Sequence, residues 1–143
     1  MAIRYPRGKE DIEFKYSDSD YSVFSNEGKI AIVTYGIISS NAIKALKQLN
    51  NDGINVDVIK LNKIYPVSEK LINKLQEYEK VYFFEEGIRK GGISEHIVSR
   101  GKFNYYRITA IDNSFVPSSS VTAAREKLGL DPISMYKIIK GEN

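Results

Sequence analysis

Residues 29–35, KIAIVTY, constrain this chain more than any other stretch. A strand with one wet face alternates apolar and polar residues, whereas here apolar and β-branched side chains run on almost without a break. That pattern belongs to a strand covered on both faces. Gly36 ends the run, and Ala42, Ile43, Ala45, Leu46 and Leu49 then recur at helical spacing, with Ser39 or Ser40 expected to cap the helix by accepting from its first free amides. Asp52-Gly53 stops the helix, and residues 54–61, INVDVIKL, form a second strand. Strand, helix and strand joined by short loops make a right-handed crossover, which leaves the two strands parallel.

The same unit recurs downstream. Pro66 pushes Tyr65 toward extended geometry, Ser68 and Glu69 begin a helix with a stripe of Leu71, Ile72 and Leu75, and Val81 to Phe84 form the next strand. Ile93, Ile97 and Val98 mark another helix. Residues 105–111, YYRITAI, give a further strand, followed by a loop of Asp112, Asn113, Ser114 and Pro117. Serines 118 to 120 supply a cap for a helix marked by Val121, Ala124 and Leu128, which stops at Gly129. Asp131-Pro132 opens a last helix, packed through Ile133, Met135, Tyr136, Ile138 and Ile139.

A short run around Tyr21 and Val23, bounded by Asp18, Ser19, Asp20, Asn26 and Gly28, suits an edge strand running against the others. The expected fold is therefore α/β: a three-layer α/β/α sandwich with a mostly parallel sheet of about five strands and one antiparallel edge strand. Residues 1–10, broken by Pro6 and Gly8, read as an incoming linker, and residues 11–143 as the folded domain.

Composition narrows the function classes. The 21 basic and 18 acidic residues leave only +3, and the lysines are scattered, so nucleic acid is not an expected partner. There is no cysteine and one histidine, His96, which removes disulfides, thiolate chemistry and multi-histidine metal sites. No apolar run approaches the roughly 18 residues of a membrane span, and no secretory signal opens the chain, so a cytoplasmic protein without membrane contact is expected. The turn YGIISSN carries one glycine, which is short of a dinucleotide fingerprint.

Residues 80–99, KVYFFEEGIRKGGISEHIVS, hold the candidate site. Glu85 and Glu86 follow an apolar strand, at the carboxyl end where open α/β sheets place ligands or partners. Gly91 and Gly92 permit positive φ or close approach to a neighbour. Glu95 falls in the first turn of the next helix, and His96 beside it reads as a surface or interface residue. Without histidine partners, a metal cluster or a phosphate loop, the paired glutamates gain no support as an acid/base pair. No residue is assigned as catalytic, cofactor-binding or metal-ligating. Glu85, Glu86, Gly91, Gly92 and His96 are read instead as a loop or interface facing another domain or subunit. Near the start, Arg4 and Arg7 can offer guanidinium forks to a phosphate or carboxylate, or form a solvated basic tail.

Several of these motifs occur in one order. RYPRG at 4–8, IVTYG at 32–36, DVIKLNKIYP at 57–66, FFEEG followed by GGISEHI, and KLGLDPISM at 127–135 together resemble the carboxyl-terminal region of the 1-deoxy-D-xylulose-5-phosphate synthases. The strand with paired glutamates and a Gly-Gly helix is shared with the wider transketolase-like thiamine enzymes, while RYPRG and GLD point to the synthases.

The resemblance implies a fragment of a homodimeric transferase. Its thiamine diphosphate and Mg2+ would be held by upstream domains of the same polypeptide, with no cofactor in this part. The whole enzyme would decarboxylate pyruvate and join the two-carbon unit to glyceraldehyde 3-phosphate, in isoprenoid precursor synthesis. Arg7 matches the family position that contacts the aldehyde's phosphate, with Arg4 second. Pro117 followed by three serines departs from the family's proline and glycine. Two other readings stand beside this one: the equivalent domain of a split transketolase or 2-oxo acid dehydrogenase β subunit, and a free-standing α/β interaction module.

Overall fold

The computed structural model describes residues 12, 14–15, 17–25, 27–112 and 120–141. Residues 1–10, expected to be a linker and containing Arg4 and Arg7, lie outside the described residues, as do Pro117, Ser118 and Ser119. The elements in order are β1 (Tyr21–Phe24), β2 (Ile30–Tyr35), α1 (Ile38–Asn51), β3 (Val56–Leu61), α2 (Glu69–Gln76), β4 (Lys80–Ile88), α3 (Ile93–Arg100), β5 (Tyr106–Ile111), α4 (Val121–Leu128) and α5 (Pro132–Lys140).

The five strands form one sheet in the order β1-β3-β2-β4-β5. β1 pairs antiparallel with β3, from Tyr21 opposite Leu61 to Phe24 opposite Val58, and every other pairing is parallel. After β2 the chain winds outward to β3, then crosses back to place β4 on the other side of β2. The switch point therefore falls between β2 and β4, where such sheets leave a crevice at their carboxyl ends.

Because successive strand residues face opposite ways, the unbroken apolar runs feed two cores. Ala31, Val33, Ile59, Val81 and Phe83 turn to one face and meet Leu71, Ile72 and Leu75 of α2 and Ile97 of α3. Ile32, Val58, Tyr82 and Phe84 turn to the other, under Ala42, Ala45 and Leu49 of α1 and Met135 and Ile139 of α5. The layers are thus α2/α3, sheet, α1/α5. Phe83 and Phe84 are both essentially inaccessible, and burying such a side chain contributes roughly 1.5–3 kcal/mol. Asp57, itself buried on β3, accepts from the Tyr78 hydroxyl at 2.8 Å and from the Gly28 amide at 3.1 Å.

Three helix starts follow the sequence reading. Ser68 caps α2 by accepting from the Leu71 amide, Ser120 caps α4 by accepting from Ala123, and Asp131 caps α5 by accepting from Ile133 and Ser134. α1 does not. Its N-cap is Ile37, which makes no side-chain cap, and Ser39 and Ser40 lie inside the helix, buried, with hydroxyls that have no hydrogen-bond partner among the described residues. Gly36 at φ +61° bends the chain so soon after β2 that the helix begins before either serine can stand outside it.

Three further expectations change. α4 forms where its caps place it but has no buried residue, and Ile133 on α5 is 58% exposed and not packed. β4 also continues past the apolar run, so Glu85, Glu86 and Gly87 belong to the strand and not to a loop.

Candidate functional site

At the carboxyl rim of the sheet, β4 carries Glu85 and Glu86 in succession, and strand geometry sends them to opposite faces. Glu85 turns inward and is 2% exposed. Its Oε2 accepts from the Ser94 amide at 3.3 Å, in the first turn of α3, while Oε1 has no hydrogen-bond partner among the described residues. The N-cap of α3 is Gly92, which has no side chain to offer. Glu85 supplies from the strand the acceptor that an ordinary N-cap supplies locally. Burial pushes its carboxyl above the ordinary range, and the nearby Glu95 adds to this, while hydrogen bonds from Ser94 and Ile93 oppose it.

The Gly-Gly pair serves both purposes expected of it, one at each position. Gly91 sits at φ +75°, with its amide donating to Glu95 Oε2 at 2.9 Å. Gly92 has ordinary φ, but a Cβ there would collide with Glu85 Oε1 and lie 2.6 Å from the Ile88 carbonyl oxygen. The turn is closed by the Gly92 amide donating to the Arg89 carbonyl at 2.9 Å.

Glu86 faces out, where its Oε1 accepts from Arg125 Nε of α4 at 3.0 Å. Tyr35, at the end of β2, lies next to this pair across the switch point. Burial, then the charges of Glu85 and Glu86, push its phenol upward. His96 is exposed; its amide donates to the Gly92 carbonyl and its own carbonyl accepts from the Ser99 hydroxyl.

The structure thus brings Glu85, Gly91 and Gly92 into one packed turn, sets Glu86 beside it, and leaves His96 on the outside of α3. Glu85 is shut away from solvent and Glu86 is engaged by Arg125, so neither stands as a free base. Among the described residues no three His, Asp or Glu side chains converge on a point that could hold a metal ion. The described rim residues therefore offer no carboxylate cluster that would fit a magnesium ion.

Tyr35, Ser94 and Arg125 were missed in the sequence. Arg125 lies 39 positions from Glu86, and nothing local to either marks the pair. Tyr35 had a signal, since it closes the strand that borders the switch point.

A doubly wound α/β domain with its polar groups gathered at the strand ends is the class that the fold and rim define. The chain belongs to the family of transketolase C-terminal domains, whose model matches residues 21–132. It is 31% identical to 1-deoxy-D-xylulose-5-phosphate synthase of Shouchella clausii over 143 aligned residues, covering 92% of this chain and 23% of the relative. It is 24% identical to the synthase of Parabacteroides distasonis, covering 100% of this chain and 24% of that one. The chain spans about a quarter of the length of these curated relatives.

Among solved structures it is similar to a split gene transketolase in an inactive beta4 tetramer, with TM-score 0.76 and 22% identity over 90% of this chain and 44% of that one. It is also similar to a 2-oxoglutarate:ferredoxin oxidoreductase of Magnetococcus marinus, with TM-score 0.64 and 16% identity over 87% of this chain and 20% of that one. At these identities the likeness is one of fold. Among the described residues, no helix is long and apolar enough to cross a membrane.

Proposed function

We propose that the chain is the carboxyl-terminal, dimer-supporting domain of a thiamine-diphosphate-dependent 1-deoxy-D-xylulose-5-phosphate synthase, and that it is not catalytic alone. The observation that carries this reading is the similarity of nearly the whole chain to synthases four times its length. In the whole enzyme, thiamine diphosphate with Mg2+ would supply the chemistry that decarboxylates pyruvate and transfers the two-carbon unit to glyceraldehyde 3-phosphate. The residues here would build and hold the rim. Glu85 ties the end of β4 to α3, the Gly91-Gly92 turn sets the angle between them, and Glu86 and His96 face outward toward upstream domains or the second subunit.

Arg7, with Arg4 second, is the proposed contact to the aldehyde's phosphate, because a guanidinium fork matches a dianion in charge and shape. Calorimetric titration of this chain with thiamine diphosphate and Mg2+ tests the first claim. No heat of binding is expected, and micromolar affinity would refute it. For Arg7, replacement by Ala in the chain joined to its upstream domains should raise KM for glyceraldehyde 3-phosphate and leave KM for pyruvate unchanged. An equal rise for both substrates would remove the assignment.

A further inference from the structure

A cleft of about 750 Å3 runs along the outer edge of β5, from Tyr106 to Asp112, and reaches the rim at Arg89. β5 ends the sheet on that side. The carbonyls of Tyr105 and Ile111 accept from Val81 and Arg89 of the β4 segment. Backbone groups alternate sides along a strand, so Tyr106, Ile108 and Ala110 turn their N–H and C=O toward the cleft, away from β4. All three line it. The opposite edge is the four-residue β1, whereas β5 is six residues long and, among the described residues, is flanked at the cleft by α4, which buries no residue, and by α5.

Charge is concentrated in the same place. The cleft is lined by Arg89, Arg107, Lys127 and Lys137 against Asp112 and Glu126, so it holds a surplus of two positive charges in a chain whose net charge is +3. Arg89 is paired with Asp112 at 2.7 Å. Arg107, Lys127 and Lys137 are exposed and have no ion-pair partner among the described residues. Lys127 and Lys137 stand in the last turns of α4 and α5, where a cation complements the helix dipole. That role accounts for their positions along each helix, but not for both helices and Arg107 lining one cleft.

We infer that this cleft is a docking site for an extended acidic segment of a partner protein, which adds to the sheet as a sixth strand beside β5. An exposed strand edge recognises main chain through its unpaired N–H and C=O groups, and flanking side chains set the choice of sequence. The cationic lining selects carboxylates. A second copy of this chain is the wrong occupant, because pairing β5 with β5 would bring two basic clefts face to face.

The test is an amide NMR titration of the full 143-residue chain with a capped hexapeptide of sequence Glu-Val-Glu-Thr-Glu-Val. The amides of Tyr106, Ile108 and Ala110 should shift and exchange with solvent more slowly, and raising salt should weaken the effect. The double variant Arg107→Glu, Lys137→Glu should keep its dispersed spectrum and bind the peptide about tenfold more weakly. Equal binding of a peptide with Lys in place of each Glu overturns the proposal. So does an unchanged response in the double variant. Shifts reproduced by inorganic phosphate without slowed edge amides would make it an anion site only, and shifts that appear on concentrating the chain alone would make it a self-association edge; either result also overturns it.

Discussion

The Glu85 carboxylate occupies the space into which any side chain on Gly92 would project. Gly91 next to it has φ +75° and nothing within 4 Å of where its Cβ would be. The two glycines are therefore required for different reasons, and alanine separates them. Gly91→Ala pays only for a left-handed backbone and should cost about 1 kcal/mol. Gly92→Ala must displace a buried carboxylate and a carbonyl, and about 2–4 kcal/mol is expected. Urea midpoints of the two variants check the order.

Glu85 should also make stability depend on pH. Its folded-state pKa is raised, chiefly by burial. The folded protein thus holds this proton more tightly than the unfolded chain does, and the associated stability is complete below the unfolded value and lost as pH rises through the folded one. Glu85→Gln keeps the shape and removes the titration. The variant should gain stability relative to the parent chain as pH rises from 4 to 8, as followed by thermal midpoints across that range. A difference that stays constant with pH would count against this account.

The Tyr78 hydroxyl and Asp57 form a buried pair, in which burial and then the hydrogen bond to Asp57 push the phenol far up. Tyr78→Phe leaves Asp57 Oδ2 without that donor, and a loss of about 1–3 kcal/mol is expected. Tyr136 donates to Asp52 in an exposed position. Tyr136→Phe should cost less than 1 kcal/mol by the same denaturation assay.

α4 should open more readily than the rest of the fold. It buries no residue, and an eight-residue helix is marginal alone. Its link to the sheet includes the Arg125–Glu86 pair, with side chains 19% and 42% exposed. A double-mutant cycle on the pair should give a coupling of about 0.5–1 kcal/mol. In Glu86→Gln, hydrogen exchange should quicken in α4 while the global urea midpoint barely moves.

The layers were legible because burial on both faces writes itself into consecutive residues, as in IAIVTY and VYFF, and caps write themselves into one residue each, as at Ser68, Ser120 and Asp131. Ser39 and Ser40 misled for a geometric reason. Two candidate caps in a row leave the start of the helix undetermined, and the turn at Gly36 decided it. At the rim, the pattern EE followed by GG was visible, but not which glutamate would be buried. That depends on which face of β4 each takes, and on α3 packing over the face that carries Glu85. The Glu86–Arg125 contact is a product of tertiary folding and leaves no local trace.

The antiparallel pairing of β1 has a topological consequence. Tyr21 lies opposite Leu61, the last residue of β3, and the carbonyl of Asp20 accepts from Asn62 and Lys63 just beyond it. The chain therefore enters the sheet at the end where the parallel strands finish, the end that carries Tyr35, Glu86 and the Gly91-Gly92 turn. Had β1 run parallel, the chain would enter the sheet from the opposite pole. As built, one reversed strand of four residues puts the entry of the chain into the sheet on the same pole as the rim.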